Sequence, residues 1–261
     1  MKVIILCGGY GMRIRDVADD IPKPMIPVGN LPIIWHIMMH YSYYNYKDFI
    51  LCLGHKGHAI KNFFVNYDVQ ANDFTIKLGA KKDFTFHNNH HELDWKITFA
   101  ETGLNAMTGA RIKRVQKYIG SDDNFMLTYG DGVGNVDIDA LLKFHKSHGK
   151  IMTVTGVRPP GRFGELSCNA KGEVLEFNEK TQTSSGRISG GFFVCKKEIF
   201  DYIDDRENLI FEHEPMNALV KDGQMMVYQH DGFWQPMDTY RDYALLNSMF
   251  NEGKAPWVVW K

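Results

Sequence analysis

The chain has 261 residues, enough for one large domain or two small ones, and 44% of them are hydrophobic, as in ordinary soluble globular proteins. Its formal net charge of −1 leaves no overall electrostatic footprint for nucleic acid or an anionic membrane, although a local cationic pocket survives a neutral total. No apolar stretch approaches the roughly 20 residues of a membrane helix, and the opening run Met1–Cys7 is too short for a signal-peptide core.

In chain order, Val3–Cys7 is a β-rich apolar run that stops at Gly8-Gly9, which predicts a fully buried first strand. A helix is expected from Pro32 to about Tyr44, a strand at Phe49–Leu53 and a helix at His55–Phe64. Ile97–Phe99 and Phe125–Leu127 read as strands around a helix from about Thr108 to Tyr118, and Ile138–Lys146 as a helix before a strand at Met152–Gly156. Residues 70–95 read as a polar, histidine-rich excursion from this core. Alternation of strand and helix argues for a mainly parallel sheet with helices on both faces, a Rossmann-like α/β core. After Pro159-Pro160-Gly161 the character changes to short strands (Glu165–Cys168, Val174–Asn178, Phe192–Val194, Met226–Tyr228) mixed with two short helices. A last helix is expected from about Thr239 to Asn251. With no long linker and no repeat, residues 1–261 read as one α/β domain with a smaller α+β lobe inserted or appended.

Cys7, Cys52, Cys168 and Cys195 are scattered, without a C-x-x-C pair, and three of them lie inside apolar runs. They are expected to be reduced thiols of a cytoplasmic protein. His87, His90 and His91, and the i, i+4 pair His36 and His40, lack the partners that would complete a transition-metal site. The cluster Tyr41, Tyr43, Tyr44 and Tyr46 reads as packing or a subunit contact.

The segment Leu6-Cys7-Gly8-Gly9-Tyr10-Gly11-Met12-Arg13 places a glycine-rich turn straight after a buried strand, where backbone N–H groups can approach phosphate oxygens. Its G-G-x-G-x-R spacing is neither the dinucleotide fingerprint G-x-G-x-x-G nor a Walker loop, so a nicotinamide-dependent oxidoreductase is disfavoured. Close behind, Pro22 and Pro24 stiffen the backbone around Lys23. Asp131 stands between Gly130 and Gly132 at the end of an apolar run, where open α/β sheets bind ligands.

These segments together resemble the signature of the sugar-phosphate nucleotidyltransferases, in which G-G-x-G-T-R precedes K-P-[ML]. The resemblance continues through Pro27-Val28-Gly29, Thr102-Gly103, Met107–Arg111, Thr128–Val133, Pro159–Gly164, Gly190–Val194 and Phe233–Thr239, in order and over essentially the whole chain. Within the family it is to the glucose-1-phosphate cytidylyltransferase branch, carried by Trp35–Met38, Met107–Gly109, Pro160–Gly164, Phe233–Thr239 and Ala255–Trp257. The resemblance implies a nucleotide-diphospho-sugar transferase fold, with 1–158 mainly the nucleotide-binding core and 159–261 mainly the acceptor-binding and C-terminal part. It implies a cytoplasmic, homo-oligomeric enzyme that joins CTP to a sugar 1-phosphate, with Mg²⁺ as cofactor, and makes a precursor for cell-surface polysaccharide.

By the same resemblance, Arg13 and Lys23 are the catalytic cations. Leu6, Gly8, Gly9, Gly11, Met12, Arg13, Lys23, Thr102, Gly103, Thr108, Arg111 and Asp131 bind the nucleotide. Tyr129, Gly130, Gly164, Glu179, Lys180, Ser189 and Gly190 bind the acceptor, and Asp131 and Asp238 hold the metal. Plainer readings stand beside several of these: turn chemistry for Asp131, an N-cap for Asp238, a solvated strand end for Lys180, and a solvated basic face for Arg111 with Lys113 and Arg114. The chain departs from the family at Met12 (threonine), Thr181 (proline), Ser189 (asparagine) and Phe211 (tryptophan). A different phosphorylated acceptor therefore stays open, as does a regulatory protein that kept the fold without turnover.

Overall fold

The computed structural model describes residues 1–11, 20–79, 83–87, 94–159, 165–168, 173–178 and 186–260. Eight strands form the main sheet: β1 (Lys2–Leu6), β2 (Asp48–Leu53), β3 (Lys96–Glu101), β4 (Asn124–Tyr129), β5 (Met152–Val157), β6 (Ile188–Ser189), β7 (Phe193–Lys196) and β8 (Met225–His230). Helices are α1 (Ile33–Tyr43), α2 (Gly57–Val65), α3 (Tyr67–Ala71), α4 (Thr108–Arg114), α5 (Ile138–His148), α6 (Glu214–Lys221) and α7 (Tyr240–Asn251).

Parallel pairing joins β3 to β2, β2 to β1 and β1 to β4. Beyond β4 the sheet continues through antiparallel β7 to β5, which pairs in parallel with β8 on its other edge. Strand β6 completes the β7 side of β5, opposite Gly156 and Val157. Three strands from beyond residue 158 thus enter the same sheet as the first half of the chain.

Strand periodicity explains the two cores. Val3, Ile5 and Cys7 of the β1 segment, with Phe49, Leu51 and Leu53 of β2, face a cluster built on α1, α5 and Trp257. Ile4, Leu6, Ile50 and Cys52 face the other way, against Ile112 of α4, Phe200, Phe211 and Leu219 of α6. Burial on both faces is why these strands read as continuous apolar runs.

Most expected elements recur within a residue or two. The long helix expected at Thr108–Tyr118 instead ends at Arg114 and tightens into a 3₁₀ turn, Gln116–Tyr118, which keeps Ile112, Val115 and Ile119 all in the second core. Asp137 caps α5 through Ala140 N–H, and Gly149 closes it in the left-handed region. Glu165–Cys168 and Val174–Asn178 pair as a separate antiparallel ribbon. The excursion at 70–95 carries a second ribbon, Phe74–Lys77 with Asp83–Phe86.

Candidate active site

Strand order reverses between β1 and β4, since the chain runs outward through β2 and β3 before returning to β4 on the other side of β1. A crevice opens at such a switch point, outside the carboxyl ends of the strands. Here it is a cleft of about 410 Å³, walled by the glycine turn after β1, Lys23 and Pro24, residues 104–108, and Tyr129–Asp131 at the end of β4. Gly130 lets the two strand ends close up: a Cβ there would lie 2.9 Å from Leu6 O and 3.1 Å from Pro24.

Two carboxylates far apart in sequence meet at one edge of this cleft. A short ribbon pairs Gly132–Gly134 with Trp234–Pro236, and Met237 N–H donates to Asp131 O at 2.8 Å, so Asp131 and Asp238 are brought together. Lys23, in a 3₁₀ turn flanked by Pro22 and Pro24, donates from Nζ to Asp131 Oδ2 and Asp238 Oδ1, each at 2.5 Å. Burial alone would lower the Lys23 pKa, but the charges and hydrogen bonds of Asp131 and Asp238 outweigh it and raise the pKa above the usual lysine value. Asp242 Oδ2 accepts from Asp238 N–H at 3.1 Å and Thr239 N–H at 2.9 Å, which fixes the approach to α7. Thr239, not Asp238, is the N-cap of α7, in a reciprocal capping box with Asp242.

Arg111 is a second buried cation with a different task. It is 4% exposed, and its guanidinium donates to Gly8 O, Leu53 O, Gly103 O, Leu104 O and Thr102 Oγ1 at 2.8–3.3 Å. One side chain thus ties the turns after β1, β2 and β3 together behind the cleft. A peptide whose carbonyl points at Arg111 turns its N–H the opposite way, so this bonding orients the glycine-turn amides. Gly8 is required by the same contact: a Cβ there would lie 2.2 Å from Arg111 Cζ. The solvated basic face considered for Arg111 is therefore corrected, because α4 turns this position inward.

The 207–212 segment braces the cleft residues Met107, Thr108 and Tyr129 through hydrogen bonds. Glu207 O and Leu209 O accept from Met107 N–H and Gly109 N–H at the start of α4. Glu212 accepts from Thr108 Oγ1 at 2.6 Å and from Tyr129 Oη at 2.5 Å.

Residues 2–249 match the family described as nucleotidyl transferase. The chain is 44% identical over 261 residues, 100% of both chains, to the glucose-1-phosphate cytidylyltransferase of Salmonella typhimurium. It is 43% identical over 260 residues, again 100% of both, to the probable glucose-1-phosphate cytidylyltransferase of Bacillus subtilis. The chain belongs to the nucleotidyl transferase family. Its fold is shared with the crystal structure of HddC from Yersinia pseudotuberculosis complexed with GMP-PN, at a TM-score of 0.69 and 22% identity over 95% of this chain and 99% of that one.

In this nucleotidyl transferase, Leu6, Gly8, Gly9, Gly11, Lys23, Thr108, Arg111, Tyr129, Gly130 and Asp131 line the one cleft, with Asp238 joined to it through Lys23. Thr102 and Gly103 lie behind it: Thr102 is 1% exposed and its hydroxyl donates to Leu53 O at 2.6 Å. Ser189 and Gly190 lie apart, at the turn between β6 and β7, where Trp234 Nε1 donates to Gly190 O at 2.8 Å. Met12, Arg13, Gly164, Glu179, Lys180 and Thr181 lie outside the described residues. Phe211 is fully buried against Phe193, so this departure from the family falls in the core. Sequence reasoning missed Glu212 as the partner of Thr108 and Tyr129, and missed the Gly132–Gly134 ribbon, whose three residues carry no readable period.

Proposed function

We propose that the chain is a cytidylyltransferase that joins CTP to α-D-glucose 1-phosphate, giving CDP-glucose and pyrophosphate. The observation that carries this reading is full-length identity of 44% to a curated glucose-1-phosphate cytidylyltransferase, in a chain whose cleft places Lys23, Asp131 and Asp238 at one edge. A phosphate-monoester oxygen of the acceptor forms a bond to the α-phosphorus of CTP while the bond from that phosphorus to the β-phosphate oxygen breaks. The nucleophile is already anionic at neutral pH, its second pKa being about 6, so no general base is needed. The site has to offset repulsion between two polyanions and align them.

The glycine-turn amides and Lys23 are assigned to the triphosphate, together with Arg13. Lys180 and Glu179 are assigned to the acceptor, with Gly164, Ser189 and Gly190. Asp131 and Asp238 fit Mg²⁺: their two oxygens share one Lys23 nitrogen at 2.5 Å and so lie no more than about 5 Å apart. Two hard carboxylates at that separation suit a hard divalent ion, which Asp131 and Asp238 would hold. When bound, Mg²⁺ supplies charge neutralisation and a template for the reacting phosphates.

Free, buried thiols at Cys7, Cys52 and Cys195 support a cytoplasmic setting, and no helix among the described residues is long and apolar enough to cross a membrane. Exposed Phe84 and Phe86, stacked on one another, support a homo-oligomer. CDP-glucose made there would feed nucleotide-sugar pathways toward cell-surface polysaccharide.

The test is pyrophosphate release with Mg²⁺, each nucleoside triphosphate and a panel of phosphorylated acceptors. CTP with glucose 1-phosphate should be the preferred pair, and Asp131→Asn and Asp238→Asn should each lower kcat about 100-fold or more, as loss of a preorganised charge-stabilising group does. Turnover of CTP only with another acceptor would overturn the glucose assignment, and no turnover with any pair would overturn the enzyme reading.

A further inference from the structure

A single side-chain contact joins the turn after β1 to the turn after β3. Tyr10 Oη donates to Asn105 Oδ1 at 2.7 Å, between residues 95 positions apart, and both side chains line the cleft. The ring of His55 packs on that of Tyr10, with centroids 4.8 Å apart. With its carbonyl oxygen engaged, the Asn105 amide has only its NH₂ end to offer, and among the described residues no acceptor takes either of those protons. Flipping the amide would leave the Tyr10 proton without a protein acceptor among the same residues. Tyr10 therefore sets which end of the amide is free.

Strand order says which part of a ligand meets that end. Strands β3, β2, β1 and β4 lie side by side, so the turn after β3 and the Asp131 end of β4 flank the glycine turn from opposite sides. Lys23, Asp131 and Asp238 gather on the β4 side, where the reacting phosphates are assigned. The base then falls on the β3 side, where exposed Leu104 and Met107 offer apolar surface to a flat ring beside Asn105. A group that can only donate selects acceptors. Of the four common bases, only cytosine carries two adjacent acceptors, N3 and O2, on its pairing edge; uracil and guanine place an N–H at the centre of that edge, and adenine has N1 alone. Taking the CTP-dependent transfer proposed above, on which this step rests, we infer that the Asn105 NH₂ group donates to N3 of cytosine and that Tyr10 is the positioning residue that keeps Asn105 a donor. Uracil presents its N3–H to the same protons and is rejected by it.

The experiment measures kcat/KM for CTP, UTP and 3-deaza-CTP, in which a C–H replaces N3, with whichever phosphorylated acceptor the wild type turns over. The wild type should favour CTP over 3-deaza-CTP about 10-fold, the size of one neutral hydrogen bond. Asn105→Ala should lose about 10-fold with CTP and nothing with 3-deaza-CTP. Tyr10→Phe keeps the ring but releases the amide, whose carbonyl oxygen then accepts from uracil N3–H. The preference for CTP over UTP should fall about 10-fold in that variant, with UTP turnover rising above the wild-type value. A merely structural role for Tyr10 does not raise turnover of the wrong nucleotide.

Equal losses with all three nucleotides, or an unchanged preference for CTP over UTP in both variants, would overturn the assignment and leave the Tyr10–Asn105 contact a clasp between two turns. Wild-type turnover faster with UTP than with CTP, or none with any triphosphate, would mean that the substrate reading has failed and this inference with it. Both side chains are exposed, so neither variant opens the core.

Discussion

Gly8→Ala isolates what Arg111 does. The three heavy atoms nearest to an added Cβ are all in the Arg111 guanidinium group, at 2.2, 2.2 and 2.7 Å. Ordinary contact begins near 3.4 Å, so the guanidinium must move by more than about 1 Å, which its hydrogen bonds of 2.8–3.3 Å do not survive intact. Losing two or three of these bonds at about 1.5 kcal/mol each predicts a cost of roughly 3–5 kcal/mol. Leu53 O keeps Thr102 N–H and its hydroxyl as donors, and Gly8 O keeps His55 N–H at 3.3 Å, so the exposed deficits fall on Gly103 O and Leu104 O. Gly8 does not adopt a positive φ, so alanine is conformationally acceptable there. In an Arg111→Ala background the clash partner is gone, and Gly8→Ala should cost within about 0.5 kcal/mol of zero. Urea unfolding of the wild type, both single variants and the double variant gives the cycle, with an expected coupling of about 3 kcal/mol or more. Equal cost of Gly8→Ala in both backgrounds would refute the account of Arg111 as the brace of the glycine turn.

Two further outcomes follow from burial and capping. Thr239→Ala removes one half of the α7 capping box and should cost about 1 kcal/mol in urea unfolding, while Asp242→Ala also frees Asp238 N–H and should lower turnover as well as stability. His36, His40 and His145 are buried and, mainly through desolvation, each has its pKa lowered to about 4, below an unfolded value near 6.5. The unfolded chain therefore binds more protons between those values, so stability is full above about pH 6.5 and falls as pH drops toward 4. The loss at pH 5 is about 2 kcal/mol per histidine, and a urea midpoint unchanged between pH 7 and pH 5 would contradict it.

The parallel strands were legible because burial on both faces leaves uninterrupted apolar runs, as in Val3–Leu6 and Phe49–Leu53. Helix α5 was legible from Asp137 before it and the apolar spacing of Ile138, Leu141, Leu142 and His145 within it. The Gly132–Gly134 and Trp234–Pro236 ribbon was not, because three residues rich in glycine or proline have no period, yet it is what unites Asp131 with Asp238. The bracing role of Arg111 was not legible for a related reason. Three basic residues within four positions leave a solvated face open beside a nucleotide-binding role, and what distinguishes Arg111 is a set of backbone carbonyls contributed by three separate strand ends. Sequence patterns record side chains, and the partners here are main-chain atoms. Asp131 and Lys23 could be singled out from local context, but not their pairing, because nothing within one segment shows that residues 108 positions apart meet.

The two cations answer to different charge balances, and together they bear on how the cleft accepts a triphosphate. Arg111 has only neutral partners, so its full charge stands behind the glycine turn and favours anions there. Among the described residues, Lys23 faces two carboxylates, Asp131 and Asp238. A divalent cation adds two positive charges at that edge, without any change in the protein's own groups. The Lys23 ammonium can then be shared with phosphate oxygens. In the proposed reaction, nucleotide and metal should accordingly strengthen each other's binding, since each removes the repulsion that the other would meet alone.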